Sequence, residues 1–325
     1  MHHPIKVFDS NRVAERFGYH WPLTCDNIKD ILERLEGKIM TTRSTITQPL
    51  GTRLTYTHEG LTLPVYRFGT GQPILLLHGF PEDAVSWNHV VARLAAAGYQ
   101  TWVPEMRGYA ETAQPKGRAA YTVAHLLGDL NALITHFQLS TVHLVGHDWG
   151  GLLDWKLAQK WPQRITTLTV IATPHPQAMA WSFHHSTQLL HSAYIGGFQV
   201  PGLPEVIAHK GLKTFLRRSG LSQQATEYAL ARFKTPASLR GPINWYRGLT
   251  VPNQPHMKDH LIHMPTTYLW GRHDAFLGAA AAKKTAEYVK ADYRFIPVDA
   301  GHWIPENHPD VAAQAILDRI TSANA

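Results

Sequence analysis

The chain has 325 residues, 44% of them apolar, and carries 31 Lys and Arg against 24 Asp and Glu, a formal net charge of +7 with its 21 histidines taken as neutral. A sizeable core is within reach, and the basic residues are scattered rather than blocked, which argues for solubility and against a nucleic-acid partner. The lone cysteine, Cys25, excludes an internal disulfide and a thiolate metal site, no apolar stretch is long enough to span a bilayer, and the N-terminus lacks the apolar core of a signal peptide, so the expected location is cytoplasmic.

Residues 1–48 read as an N-terminal extension, in which Thr24 or Asp26 caps an amphipathic helix with Ile28, Ile31, Leu32 and Leu35 on one face and Gly37 as its stop. Short strands follow: Arg53 to Thr57, then Leu61 to Arg67 with Pro64 marking an edge, then the buried run Pro73 to Leu77. That run ends in His78-Gly79-Phe80-Pro81-Glu82, where Phe80-Pro81 is a candidate cis peptide. A helix from about Trp87 to Ala97, a strand from Tyr99 to Val103 and the loop Arg107-Gly108-Tyr109 come next. The following helix repeats Val123, Leu126, Leu127, Leu130, Leu133, Ile134 and Phe137 at helical spacing and leads into the apolar strand Thr141 to Val145.

After that strand stands Gly146-His147-Asp148-Trp149-Gly150-Gly151, and then a helical pattern. Strand, sharp turn and helix form the setting of a nucleophile elbow, in which small residues flank a reactive side chain because the turn leaves no room for Cβ atoms. The residue at the tip is Asp148. A carboxylate is a weak acyl nucleophile, but it displaces a leaving group at saturated carbon and leaves an alkyl ester to be hydrolysed. The strand Ile165 to Ile171 closes with Thr173-Pro174-His175-Pro176, and from 177 to 260 the strand alternation stops in favour of helical patterns rich in aromatics and histidines. It resumes with Thr266 to Trp270, a helix from Ala279 to Lys290, the strand Tyr293 to Val298 and a last helix from Pro309. Alternating strands and helices of this length predict an α/β fold: a mostly parallel sheet with helices on both faces. The core then comprises 49–176 and 261–325, and 177–260 is a helical lid over the C-terminal strand ends, where open α/β sheets carry their sites.

An elbow nucleophile needs a base, an acid to orient that base, and donors for an oxyanion, with the chain order nucleophile, acid, histidine. Asp274 in Gly271-Arg272-His273-Asp274 and His302 in Gly301-His302-Trp303 each follow a strand, in that order. Backbone N–H groups of Trp149 and Phe80 are the expected oxyanion donors, since they are fixed before reaction. His78, Pro81 and Trp303, beside these positions, are expected to line the pocket. Lys210, Lys213, Arg217 and Arg218 share a helix face that reads as solvated. His184, His185 and His191 lie close in sequence, but no matching carboxylate spacing supports a metal site, and no phosphate or dinucleotide glycine fingerprint is present, so neither a metal nor a cofactor is implied.

Together these motifs, from about residue 50 to the end of the chain, resemble those of the α/β-hydrolase-fold epoxide hydrolases. The elbow and His78 to Pro81 also resemble haloalkane dehalogenases, and the lid separates the two. Gly241-Pro242-Ile243-Asn244-Trp245-Tyr246-Arg247 resembles the epoxide hydrolase segment that holds one ring-opening tyrosine, mapped to Tyr246; Tyr194 in Tyr194 to Gly202 stands at the position of the other. Ala110, Thr112 and Ile195 depart from the family's usual residues without removing a catalytic group. The resemblance implies hydrolysis of a small apolar epoxide to a vicinal diol through an ester on Asp148, by a monomer or homodimer. Opening the ring leaves an alkoxide, which a neutral phenol can hydrogen-bond and protonate. A halide prefers N–H donors such as the Trp149 indole, so dehalogenation with the same Asp148, His302 and Asp274 stays open, as does a ligand-binding receptor on an inherited scaffold.

Overall fold

A computed structural model describes residues 48–252, 255, 257 and 259–324; the helix expected between Asp26 and Gly37 lies outside them. Eight strands form one sheet in the order β1-β2-β4-β3-β5-β6-β7-β8. They are β1 (Thr52–His58), β2 (Leu61–Gly69), β3 (Pro73–Leu77), β4 (Gln100–Pro104), β5 (Val142–His147), β6 (Ile165–Ile171), β7 (Thr266–Gly271) and β8 (Tyr293–Val298). The pairs β1–β2 and β2–β4 are antiparallel and the others parallel.

The apolar runs arise because the sheet is covered on both sides. Successive residues of a strand point to opposite faces, so Leu75 and Leu77 of β3 and Leu144 of β5 join one core with Leu126, Leu130 and Trp155, while Ile74, Leu76 and Val145 join the other. The helices on the first face are α2 (Val123–His136) and α3 (Trp149–Lys160). The second face packs on Val90, Val91 and Leu94 of α1 (Asn88–Ala96) and on Ala312, Ile316 and Ile320 of the last helix, α12 (Pro309–Asn324).

Between β6 and β7 the described residues form helices: α4 (Pro176–His185), α5 (Gln188–His191), α6 (Tyr194–Phe198), α7 (Leu203–Arg218), α8 (Gln223–Arg232) and α9 (Arg240–Gly248). Lys210, Lys213, Arg217 and Arg218 lie on the exposed side of α7. The remaining helices are α10 (Ala279–Lys284) and α11 (Ile304–Asn307).

Two local expectations need correction. Pro64 does not mark an edge, because β2 lies between β1 and β4; it falls where the β4 ladder ends, and its carbonyl accepts from the Glu105 N–H at 3.0 Å on that side. The helix expected to reach Lys290 is α-helical only to Lys284 and then tightens to a 3-10 turn over Thr285–Tyr288. There the buried Thr285 hydroxyl donates to the Ala281 carbonyl at 3.0 Å and accepts the His175 N–H at 3.0 Å. Such back-bonding competes with the helical pattern.

Arg107 fastens the first face of the fold. Its guanidinium, 2% exposed, donates two bonds of 2.7 Å to Asp129 of α2 and further bonds to the Ala120 carbonyl and to Glu59 in the β1–β2 turn. Breaking a buried pair by removing one partner leaves a charge uncompensated. Arg107→Met is therefore expected to lower the urea unfolding free energy by about 3–5 kcal/mol, and a loss below about 1 kcal/mol would show that His58, whose Nδ1 stands 2.7 Å from Asp129 Oδ1, compensates the carboxylate by itself.

Candidate active site

β3, β5, β7 and β8 run parallel, so the segments that leave their C-terminal ends meet at one edge of the sheet. Asp148 leaves β5 with φ 52 and ψ −118, a left-handed backbone that a residue with a Cβ rarely adopts. The surroundings hold it there. A Cβ on Gly150 would stand 2.1 Å from the Leu77 carbonyl oxygen, and one on Gly79 would stand 2.4 Å from the Asp148 Cβ. The Thr173 hydroxyl donates to the Asp148 carbonyl at 2.6 Å. As Asp148 is the residue before α3, its carboxylate lies at the positive end of a 12-residue helix.

The Phe80 N–H donates to Asp148 Oδ1 at 2.8 Å, and the Phe80-Pro81 peptide is cis, as the sequence suggested. Trp149 opens α3, so its N–H has no acceptor within the helix. On the other oxygen, Asp148 Oδ2, His302 Nε2 stands at 3.5 Å. His302 Nδ1 is 2.8 Å from Asp274 Oδ2, and Asp274 Oδ1 accepts the Phe276 and Leu277 N–H groups at 2.8 and 3.0 Å. Both His302 and Asp274 are shut off from solvent, whereas the Asp148 side chain keeps 18% of its exposure. The structure thus brings Asp148, His302, Asp274 and the Phe80 amide together.

Tyr194 of α6 and Tyr246 of α9 stand with ring centres 5.8 Å apart. Burial raises both phenols above their ordinary range; the Asp148 charge raises Tyr194 further, and Tyr194 and then Asp148 raise Tyr246 further. Tyr246 meets Phe80, Phe198 and Trp149 edge-on at 5.0–5.3 Å, so an apolar wall surrounds the pair. Their backbones are tied by Arg247, which the sequence did not single out. It donates to Glu205 at 2.6 and 3.0 Å and to the Phe198 and Val200 carbonyls, bolting the α6–α7 turn to α9.

The three expected pocket-lining residues are placed differently. His78 is fully buried, with Nδ1 donating to the Gly79 carbonyl at 3.0 Å and Nε2 accepting the Met106 N–H at 3.3 Å. Pro81 lines a separate cavity. Trp303 is buried, 5.0 Å from the His302 ring, with its indole donating to Ser219 at 3.0 Å. Of the clustered histidines, His185 stacks on Trp181 and His191 bonds the Ala275 carbonyl. Among the described residues the three that bring ligand atoms within 4.8 Å of one another are instead Glu82, His147 and Glu306. No helix among them is long and apolar enough to cross a membrane.

Residues 72–309 match the alpha/beta hydrolase fold family. Human epoxide hydrolase 4 is 34% identical over 264 residues, which cover 76% of this chain and 72% of that one. The chain belongs to the α/β-hydrolase-fold epoxide hydrolase family. It is similar also to the AB hydrolase superfamily protein YfhM of Bacillus subtilis, 33% identical over 274 residues, 80% of this chain and 94% of that one. In fold it resembles the Bacillus megaterium epoxide hydrolase crystallised with an inhibitor, with a TM-score of 0.74 at 20% identity over 82% of this chain and 100% of that one.

In this epoxide hydrolase family member, burial disfavours the His302 imidazolium, but the charge of Asp274, the bonds to Asp148 and Asp274 and the charge of Asp148 outweigh it and raise the group to about 10. A histidine raised in the folded state stabilises the fold fully below its unfolded value, roughly 6.5, and that contribution is lost as pH rises through about 10. An NMR titration of the His302 ring is expected to show protonation persisting well above neutral pH, and Asp148→Asn should move the midpoint down. A midpoint near that of a free imidazole would contradict this charge balance.

Proposed function

We propose that the protein hydrolyses an apolar epoxide to a vicinal diol, with Asp148 as nucleophile, His302 as base and Asp274 as the acid that orients it. The observation that carries this reading is that Tyr246 packs on Phe80 and Trp149, the two residues whose amides flank the Asp148 carboxylate, and pairs with Tyr194, while His302 Nε2 stands 3.5 Å from the same carboxylate. Asp148 Oδ2 bonds to a ring carbon as the C–O bond of the ring breaks. The freed oxygen takes a proton from Tyr194 or Tyr246, whose raised values keep them neutral donors until the alkoxide forms.

The product of that step is an ester, and the Asp148 charge is gone. One of the interactions that keeps His302 protonated disappears with it, so the imidazolium gives up its proton, which restores the phenolate left by ring opening, and the neutral imidazole is free to take a proton from water. The water oxygen adds to the Asp148 carboxyl carbon, and the oxyanion on Oδ1 is held by the Phe80 N–H, already 2.8 Å away, and by the Trp149 N–H. Collapse of this intermediate expels the diol, whose leaving oxygen takes the proton from His302, and the proton left on the Asp148 carboxyl then passes to His302 and restores the carboxylate. The helices α4 to α9 act as a lid that brings both tyrosines and the aromatic wall over the strand ends and keeps bulk water out.

The runner-up, displacement of a halide by the same Asp148, needs an indole N–H free for the leaving group. The Trp149 ring instead packs against Tyr246 with centres 5.0 Å apart, and a pair of phenols supplies the proton that an alkoxide needs and a halide does not, which favours the epoxide.

The roles separate by substitution. His302→Gln is expected to be alkylated once and then stall, so that intact-protein mass rises by the mass of the epoxide while turnover drops on the order of a thousandfold. Tyr194→Phe combined with Tyr246→Phe should abolish that mass gain. Unmodified His302→Gln protein after prolonged incubation would contradict the ester, and halide release from a haloalkane by the double tyrosine variant would favour dehalogenation.

A further inference from the structure

One group of ionisable side chains, two buried and the third half-buried, takes no part in the steps above. His147, adjacent to Asp148 and fully buried, has Nδ1 3.0 Å from Glu82 Oε2 and Nε2 3.0 Å from the His302 carbonyl oxygen. Glu82 Oε2 also accepts the Gly79 N–H at 3.0 Å. One ring therefore links the loop that presents the Phe80 amide to the backbone of His302. Both ring nitrogens face acceptors, so the two bonds are satisfied together only when both carry hydrogen.

The other oxygen of Glu82, Oε1, is buried without a partner, and so is Glu306 Oε2. Glu82, His147 and Glu306 bring their ligand atoms within 4.8 Å of one another. Two carboxylates so close in a buried setting do not both stay ionised unless a proton or a cation stands between them. Neighbouring Asp83 is already satisfied, accepting the Tyr228 hydroxyl at 2.6 Å and Arg232 at 3.1 Å. Glu82 and Glu306 also line a cavity of about 100 Å³ with Pro81, Asp83, Tyr228 and Arg232. That is room for several waters, each of which needs on the order of 10–15 Å³ in this measure.

We propose that Glu306 carries a proton and donates it to Glu82, and that Glu306, Glu82 and His147 form a positioning unit fixing the Phe80 loop and the His302 backbone against Asp148. The inference rests on the epoxide hydrolase reading for its kinetic arm. The directions of the two acids agree with it: burial and then the Glu82 charge raise Glu306, whereas Glu82, despite burial, is held low by the His147 charge and its bonds. A neutral acid beside a carboxylate gives a strong, directional bond without adding a second buried charge. Loss of the donor leaves Glu82 facing a gap, and the loop bearing the Phe80 amide is free to shift. Small displacements of positioned groups cost rate far more than affinity.

Two measurements on the full chain test this. The infrared difference between wild type and Glu306→Gln is expected to contain the carbonyl stretch of a protonated carboxylic acid, lost in the variant. With styrene oxide as probe, Glu306→Gln, which keeps a neutral donor, should hold kcat within about threefold, whereas Glu306→Leu should lower kcat on the order of thirtyfold with KM nearly unchanged. Absence of the protonated-acid band, an unchanged kcat in Glu306→Leu, or equal losses in both variants would overturn the proposal. Activity lost to a chelator, with no such band, would replace the proton with a cation. Should Glu306→Leu fail to fold in a melting experiment, the band and Glu306→Gln decide. Wild-type protein that makes no diol would sink the epoxide reading and leave the band to judge this one.

Discussion

The site depends on a backbone that has almost no slack. Asp148 sits at φ 52, a conformation that costs about 1–3 kcal/mol for a residue with a side chain. It persists because the alternatives are blocked: Gly150 lies against the Leu77 carbonyl and Gly79 against Asp148 itself, each too close to admit a Cβ. The bond from the Phe80 N–H to the carboxylate, of a class contributing about 1.5–3 kcal/mol, offsets much of that strain. The same geometry gives one carboxylate oxygen an amide donor and the other a histidine.

Around that turn the charges are arranged in pairs rather than singly. Asp274 faces His302, Glu82 faces His147, Glu205 faces Arg247 and Asp129 faces Arg107. Each pair joins segments far apart in the chain, and each member would be costly to bury alone. Asp148 keeps solvent access where Asp274 has none. Asp154, by contrast, is buried in α3 with no partner for either oxygen and is pushed well up by burial, so it rests as a neutral acid.

Much of this was legible in the sequence, for reasons that differ by element. The parallel strands showed because burial on both faces turns them into apolar runs such as Pro73 to Leu77, and the elbow showed because tight turns demand glycine. Asp274 and His302 were found by chain order and strand-end placement, a topological rule that needs no contact information. The placing of the Phe80 amide against Asp148 followed in the same way. Pro64 misled because a missing N–H matters only where a ladder continues. The end of α10 was illegible because the Thr285 hydroxyl answers to His175, distant in sequence. Glu306 and the Arg247–Glu205 bolt carried no signal of their own: their meaning comes from a partner that only folding supplies.

Nucleophilic attack by Asp148 is the claim on which the rest turns, and isotopic oxygen tests it most directly. In a single turnover of an aryl epoxide with enzyme in excess in oxygen-18 water, the label is expected in the peptide containing Asp148, with little in the first diol released. Label in the diol and none in that peptide would mean that water attacks the ring directly, and that Asp148 is not the nucleophile.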